Sequence, residues 1–300
     1  MSKFKAWISA ARLRTLPLSV SGIMVGSAYA LLNDYFNFSI FILAIATTLV
    51  LQILSNFAND YGDGVKGTDN QDRVGPMRAL QSGNISDKQM KLAIILSSFV
   101  AFALAVGLIY VSFGSENLLY TLAFIALGLL AIYAAIKYTV GNSAYGYRGL
   151  GDLFVFLFFG LVSVIGTYFL FSQKLDSLII LPAVGVGLLS TAVLNVNNMR
   201  DQESDLKAGK NTLVVKLGNA KAKLYHFSII VIAFASFVTY VYLLNNSIQY
   251  VCLIGFIPLF IHLLKVRKNK NPKLLDPELK KVALSTFAIA LLHIIVSVAF

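Results

Sequence analysis

Asn59 and Asp63 stand four residues apart, and the same interval returns in Asn197, Asp201 and Asp205. On a helix, residues three or four apart share a face, so each set can aim its oxygens at one point. Asp60 and Asp69 extend the first set. Carboxylates gathered at the edge of an apolar region repel one another unless a cation lies between them. A donor set of oxygens, with no histidine or cysteine, selects a hard ion, and Mg2+ takes a few carboxylates together with water and phosphate oxygens. The two motifs therefore predict a metal and phosphate site.

Basic residues and donors nearby supply the other half of a diphosphate site. Arg73 and Arg78 flank a turn at Gly75-Pro76, Tyr133 and Lys137 are spaced for one helix face, Arg148 precedes Gly149, and Lys210 follows the second motif. Asn59 and Asn197 add amide groups. Fixed positive charge around a departing diphosphate stabilises the negative charge that grows as its C–O bond breaks. Asp152, after Gly149-Leu150-Gly151, is placed either to orient or deprotonate a phenol or to cap the helix that begins there. Tyr61, Tyr145, Tyr147 and Phe154 are aromatic faces that can shelter a carbocation or simply pack. Gly160 and Gly166, in "LFVFLFFGLVSVIG", permit close helix packing or leave a groove for an apolar tail.

The elements that must carry these residues are membrane helices. Of 300 residues, 57% are hydrophobic and only 13% charged, about half the charged share of soluble domains. A bilayer core needs roughly 20 apolar residues per helix, and on that basis nine spans are predicted, at about 15–33, 38–58, 90–112, 118–138, 151–171, 177–197, 224–244, 248–265 and 282–300. The fold class is all-α. The two motifs follow spans two and six, which suggests two four-helix halves plus a ninth helix in one domain covering 1–300.

Basic residues crowd the longer connections on one side, and Lys174 is alone on the other. The positive-inside rule then places the N-terminus and the acidic motifs in the cytosol and the C-terminus outside. The net charge of +11 follows from topology and anionic lipid, so no nucleic-acid partner is implied. The single cysteine, Cys252, excludes an internal disulfide. His226, His262 and His293 share no ligand spacing and read as structural. An ion-coupled transporter is the rival reading, set back by the placement of the acids at helix ends and by the neighbouring arginines.

At these residues the chain resembles the UbiA superfamily of intramembrane prenyltransferases, through its two aspartate motifs and Tyr133-x3-Lys137. Within it, "NDYGDGVKGTD", "DRVGPMRALQSG", "GYRGLGDLFVFLFFG", "NNMRDQESDLKAGKNTLVVKLG" and "RLRTLPLS" are similar to the 1,4-dihydroxy-2-naphthoate polyprenyltransferases of menaquinone synthesis. The resemblance implies a bacterial inner-membrane enzyme that joins a polyprenyl diphosphate to 1,4-dihydroxy-2-naphthoate with loss of CO2. It implies that Asp60, Asp63 and Asp69, with Asn197, Asp201 and Asp205, hold Mg2+, and that Tyr133, Lys137, Arg78 and Arg148 neighbour the diphosphate. Where the superfamily pattern has a third acid at position 67, this chain has Gly67 with Asp69 two residues on. Direct metal contact is therefore open between Asp60 and Asp69. A relative acting on 4-hydroxybenzoate is the alternative within the superfamily, and the oligomeric state stays open.

Overall fold

The computed structural model describes residues 2–68, 74, 75 and 77–299. A short helix, α1 (Lys3–Ala11), precedes α2 (Leu16–Leu31), α3 (Phe38–Val65), α4 (Asp87–Phe113) and α5 (Leu118–Lys137). Then come α6 (Gly151–Ser172), α7 (Ile180–Lys207), α8 (Leu213–Leu244), α9 (Ser247–Lys268) and α10 (Asp276–Ala299). Eight of these segments, from α3 onward, are long and apolar enough to cross a membrane. At 16 residues, α2 falls just short of the usual span, and its interior is buried from Leu18 to Ala30. The protein is a multi-pass, all-helical membrane protein.

All nine predicted spans have a helix, but four boundaries on the side that carries the acidic motifs differ. Helix α3 runs on to Val65 and α7 to Lys207, while α8 starts at Leu213 and α10 at Asp276. Apolar windows end where charged residues begin, yet a helix continues through its last polar turns once neighbouring elements satisfy its backbone. Both acidic motifs therefore sit on helical ends. Side-chain caps set other starts: Asn37 accepts from the amides of Ser39 and Ile40, Ser86 and Gln89 form a reciprocal box, and Thr212 accepts from Val215.

The least apolar of the spanning helices is the most buried. In α5 the mean hydropathy is 2.3 and 6% of the apolar window is buried; in α7 the values are 1.6 and 67%. Helix α7 is the central post, packed against α6, α8 and α10, and its polar residues face protein instead of lipid. Small residues allow the closest approaches. A Cβ on Gly160 would lie 2.6 Å from the Gly187 Cα, so α6 and α7 touch backbone to backbone there. Gly166 takes the other role, because a Cβ there would enter open space.

The histidines hold the last three helices together. His226 and His262 share a 2.7 Å hydrogen bond between their Nε2 atoms, His262 Nδ1 meets Glu278 at 2.7 Å, and His293 bridges Tyr240 and Gln249. Cys252 is buried beside them in the main core.

Candidate active site

A cavity of about 380 Å3 lies between α2, α3, α4, α5, α6 and α7. Its polar end is at the helix ends that carry the motifs, and from there apolar residues, among them Ile23, Leu108, Phe124 and Leu170, line it toward the other face. On α5 the lining positions are Phe124, Leu127, Gly128, Ala131, Ala134, Ala135 and Tyr138, a stripe whose small members make the room. In α6, residues 156–162 form a π-helical stretch, a widened turn that is frequent at functional sites, and it places Phe158, Phe159 and Val162 on the wall.

At the polar end the charges are unequal. Arg12, Arg14, Arg78 and Lys210 line the cavity, whereas Asp63 is its only lining carboxylate among the described residues. Asn56, Asn59, Asn197 and Asn198 add neutral donors and acceptors. Each of the four cations has a carboxylate beside it, Asp60 for Arg12 and Arg78, Asp276 for Arg14 and Asp63 for Lys210. Among the described residues only Asp63 lines the cavity, so the face turned to it is positive and suits a multiply charged anion.

Asp63 is nearly fully buried. Its Oδ1 accepts from the Tyr147 hydroxyl at 2.8 Å and its Oδ2 lies 3.3 Å from Lys210 Nζ. Burial and the Asp63 charge both push the Tyr147 phenol above its ordinary pKa, so Tyr147 stays a donor. The backbone fixes this contact, since the Tyr147 carbonyl accepts from the Asn211 amide at 3.2 Å. Asn59 accepts from Thr139 at 3.4 Å, and Asn197 accepts from Arg200 at 2.9 Å.

Of the five expected metal ligands, the four among the described residues, Asp60, Asp63, Asp201 and Asp205, do not converge. Asp60 is turned to Arg12 and Arg78. Asp201 is gripped by Arg200 through Nε at 2.9 Å and Nη2 at 2.7 Å, and it does not line the cavity. Asp205 is buried one turn further on, and Asp69 lies outside the described residues, as does Arg73. A buried carboxylate must be paired: Asp60 is met by Arg12 and Arg78 and Asp63 by Lys210, all from other segments, and Asp201 by the adjacent Arg200. Among the described residues, no three carboxylate, imidazole or thiolate groups approach closely enough to enclose a metal ion. Asp63, Asn59 and Asn197 nonetheless offer hard oxygens at the cavity. That sparse set fits Mg2+, which draws much of its shell from substrate and water.

Three further expectations meet different surroundings. Tyr133 is 60% exposed on the face of α5 opposite the small-residue stripe, and Lys137 does not reach the cavity either. Arg148 is exposed, and its carbonyl accepts from Lys216 at 2.6 Å. Asp152 is buried against Tyr225, away from the lining. Aromatic walls come instead from Tyr145, Phe154 and Phe158, stacked at centroid distances of 4.0 and 6.3 Å, with Tyr138 edge-on to Tyr145. Tyr61 lies under Lys91, outside the cavity. Arg12, Arg14, Tyr138 and Asn56 were not among the expected site residues. The small-residue stripe on α5 is the signal that points to Tyr138 instead of Tyr133.

The sequence profile described as the UbiA prenyltransferase family matches residues 19–292. A 1,4-dihydroxy-2-naphthoate octaprenyltransferase of Haemophilus influenzae is 44% identical over 97% of this chain and 94% of its own. Among solved structures, an apo UbiA homolog from Aeropyrum pernix superposes with a TM-score of 0.71 at 18% identity, covering 96% of this chain and 98% of that one. A UbiA homolog from Archaeoglobus fulgidus bound to GPP and Mg2+ gives 0.69 at 14% identity, covering 96% and 99%. With a profile match across nearly the whole bundle and a relative at that identity, the chain is a member of the UbiA prenyltransferase family.

Proposed function

We propose that the protein transfers a polyprenyl group from a polyprenyl diphosphate to 1,4-dihydroxy-2-naphthoate, releasing diphosphate and CO2 and forming the demethylated menaquinol. The observation that carries this is the cavity itself: among the described residues, Arg12, Arg14, Arg78 and Lys210 line its polar end with Asp63 as the one lining carboxylate, and that end is continuous with an apolar channel. The name borne by the Haemophilus influenzae relative supplies the acceptor.

Arg12, Arg14, Arg78 and Lys210 grip the diphosphate and draw its charge away from the allylic oxygen. Asp63, with Asn59 and Asn197, would hold Mg2+ against the same oxygens, and Asp201 and Asp205 set the charge at the end of α7. When bound, Mg2+ supplies further neutralisation of the leaving diphosphate. The C1–O bond breaks with its electron pair leaving on oxygen, and the stacked rings of Tyr145 and Phe154 face the allylic cation. The ring carbon bearing the acceptor's carboxylate attacks C1, and the carbon–carboxylate bond then returns its pair to the ring as CO2 leaves. No side chain forms a covalent intermediate. Gly166 and the apolar wall accommodate the tail. The bias of basic residues toward one set of connections supports a topology with the N-terminus and the polar end of the cavity in the cytosol and the C-terminus outside, in a bacterial inner membrane.

The test is to incubate purified protein with dihydroxynaphthoate, a long prenyl diphosphate and Mg2+, and to follow product mass, diphosphate and CO2. All three are expected in equal amounts. Diphosphate and prenylated product without CO2 would assign a different aromatic acceptor chemistry.

A further inference from the structure

Asp60 follows the asparagine of the first motif, and it is 1% exposed. Its Oδ1 accepts from Arg12 Nη2 at 2.6 Å and lies 3.6 Å from Arg78 Nη1, while Oδ2 faces the Ala79 amide at 3.4 Å. Both oxygens are thus engaged by donors. The two arginines reach it from far apart in sequence, one from the break between α1 and α2 and the other from the connection before α4.

The chain holds this arrangement under backbone constraint. Arg12 has φ 49° and ψ 57°, a left-handed conformation that costs an L residue energy and persists only where the surroundings enforce it. Two contacts enforce it: Asn56 donates to the Ala11 carbonyl at 2.8 Å, and Thr15 Oγ1 donates to the Arg12 carbonyl at 2.9 Å.

Two spaces meet here. Arg12 and Arg78 line both the main cavity and a smaller recess of about 320 Å3, whereas Asp60 lines only the recess. Seen from the cavity, the carboxylate stands behind the guanidinium groups. A metal ion at Asp60 would share its oxygen with two cations, an arrangement that like-charge repulsion opposes. Two guanidinium groups this close repel as well, and the carboxylate removes that penalty while fixing two flexible side chains in advance.

We infer that Asp60 is a positioning residue: it seats Arg12 and Arg78 side by side for the diphosphate and is not a ligand of the metal. The inference rests on the reading of the cavity as a diphosphate site. Asp60→Asn keeps the shape and removes the charge. Inorganic pyrophosphate should bind this variant about 10- to 100-fold more weakly, the range found when an outer partner of a contacting group is lost. Mn2+ bound in the presence of saturating pyrophosphate, counted by electron paramagnetic resonance, should stay at the unmodified number. In turnover, KM for the prenyl diphosphate should rise by a larger factor than kcat falls, and Asp60→Glu should recover part of the binding. Arg12→Ala added to Asp60→Asn should cost less than the two single losses combined, because both act through one cluster.

Unchanged pyrophosphate affinity in Asp60→Asn, or loss of bound Mn2+ at saturating pyrophosphate, overturns the inference. Should that variant not fold, Arg12→Lys replaces it, since it keeps the charge and loses the fork, and the same weakening is required of it. An unmodified protein that binds no pyrophosphate with Mg2+ overturns the diphosphate reading and this inference together. Pyrophosphate binding by the unmodified protein, with metal loss in Asp60→Asn, overturns the inference alone.

Discussion

The ends of α3 and α7 carry the same interval, Asn-x3-Asp, and put it to different uses. At the end of α3, Asp63 faces the cavity and is met by groups from two other connections, Tyr147 and Lys210. At the end of α7, Asn197 faces the cavity while Asp201 is held by the residue directly before it, Arg200. That preceding position decides the difference. In the first motif it is Gly62, where a Cβ would lie 2.5 Å from Thr139 Oγ1, so only glycine lets the 138–150 connection close over α3 and deliver Tyr147. In the second it is an arginine that is 2% exposed and also reaches Asp276 on α10. One motif is closed by distant chain segments and the other by its own neighbour, so a repeat in sequence does not carry over as a repeat in electrostatics.

Neutralising each aspartate is the strongest way to break this comparison. Asp63→Asn removes a carboxylate that lines the cavity and should lower prenyl transfer by on the order of 10²–10³-fold, the loss typical of removing one preorganised group from a site, while Asp201→Asn, which lies outside the lining, should lower it less. Stability separates them. Asp201→Asn removes the partner that Arg200 holds through two bonds inside the protein, and breaking a buried pair costs about 3–5 kcal/mol. Asp63→Asn weakens the contacts to Tyr147 and Lys210 at the cavity wall and should cost far less. Thermal unfolding in the same detergent checks both, and equal midpoints for the two variants would remove the distinction drawn here.

Much of this was legible in the sequence. The nine apolar segments are helices because a continuous apolar run of about 20 residues meets its own backbone hydrogen bonds in lipid by coiling, and the two motifs mark the ends of two of them. Asp63, Arg78, Asn59, Asn197 and Lys210 were chosen from spacing or resemblance, and all of them line the cavity. Other contacts depend on how the chain returns on itself. Arg12 meets Asp60 across 48 residues through a left-handed turn that no local pattern requires. Asp201 was read with Asp63 because their intervals match, yet "NNMRD" and "NDYGD" differ at the residue before the acid, and that residue sets the partner.

Tyr147 tests the closed end of α3 more gently. Its hydroxyl donates to a carboxylate, a bond worth about 1.5–3 kcal/mol, so Tyr147→Phe should lower turnover by about tenfold. The sign with pH follows from the raised phenol. The folded-state value lies above the unfolded value of about 10, so the contribution is fully present below that and is lost only as pH rises through the folded-state value. The variant and the unmodified protein should therefore keep a constant activity ratio between about pH 6 and 9. A ratio that changes across that window would mean that Tyr147 ionises in the working range.

The smallest effect is expected on α5, at the pair first chosen for its spacing. Tyr133 and Lys137 share a face, but the cavity is cut into the opposite one, where Gly128, Ala131, Ala134 and Ala135 leave space and Tyr138 closes it. An exposed ring whose hydroxyl touches no part of the site should tolerate loss of that hydroxyl within about 0.5 kcal/mol, or roughly twofold in rate. Tyr133→Phe should thus retain nearly full prenyl transfer and an unshifted KM for the prenyl diphosphate. A large loss in that variant would show that α5 turns about its axis when substrate binds and brings the Tyr133 face inward. The polar end of the cavity would then be assembled by ligand instead of standing ready, and Tyr147, Lys210 and the two arginines would be only its resting half.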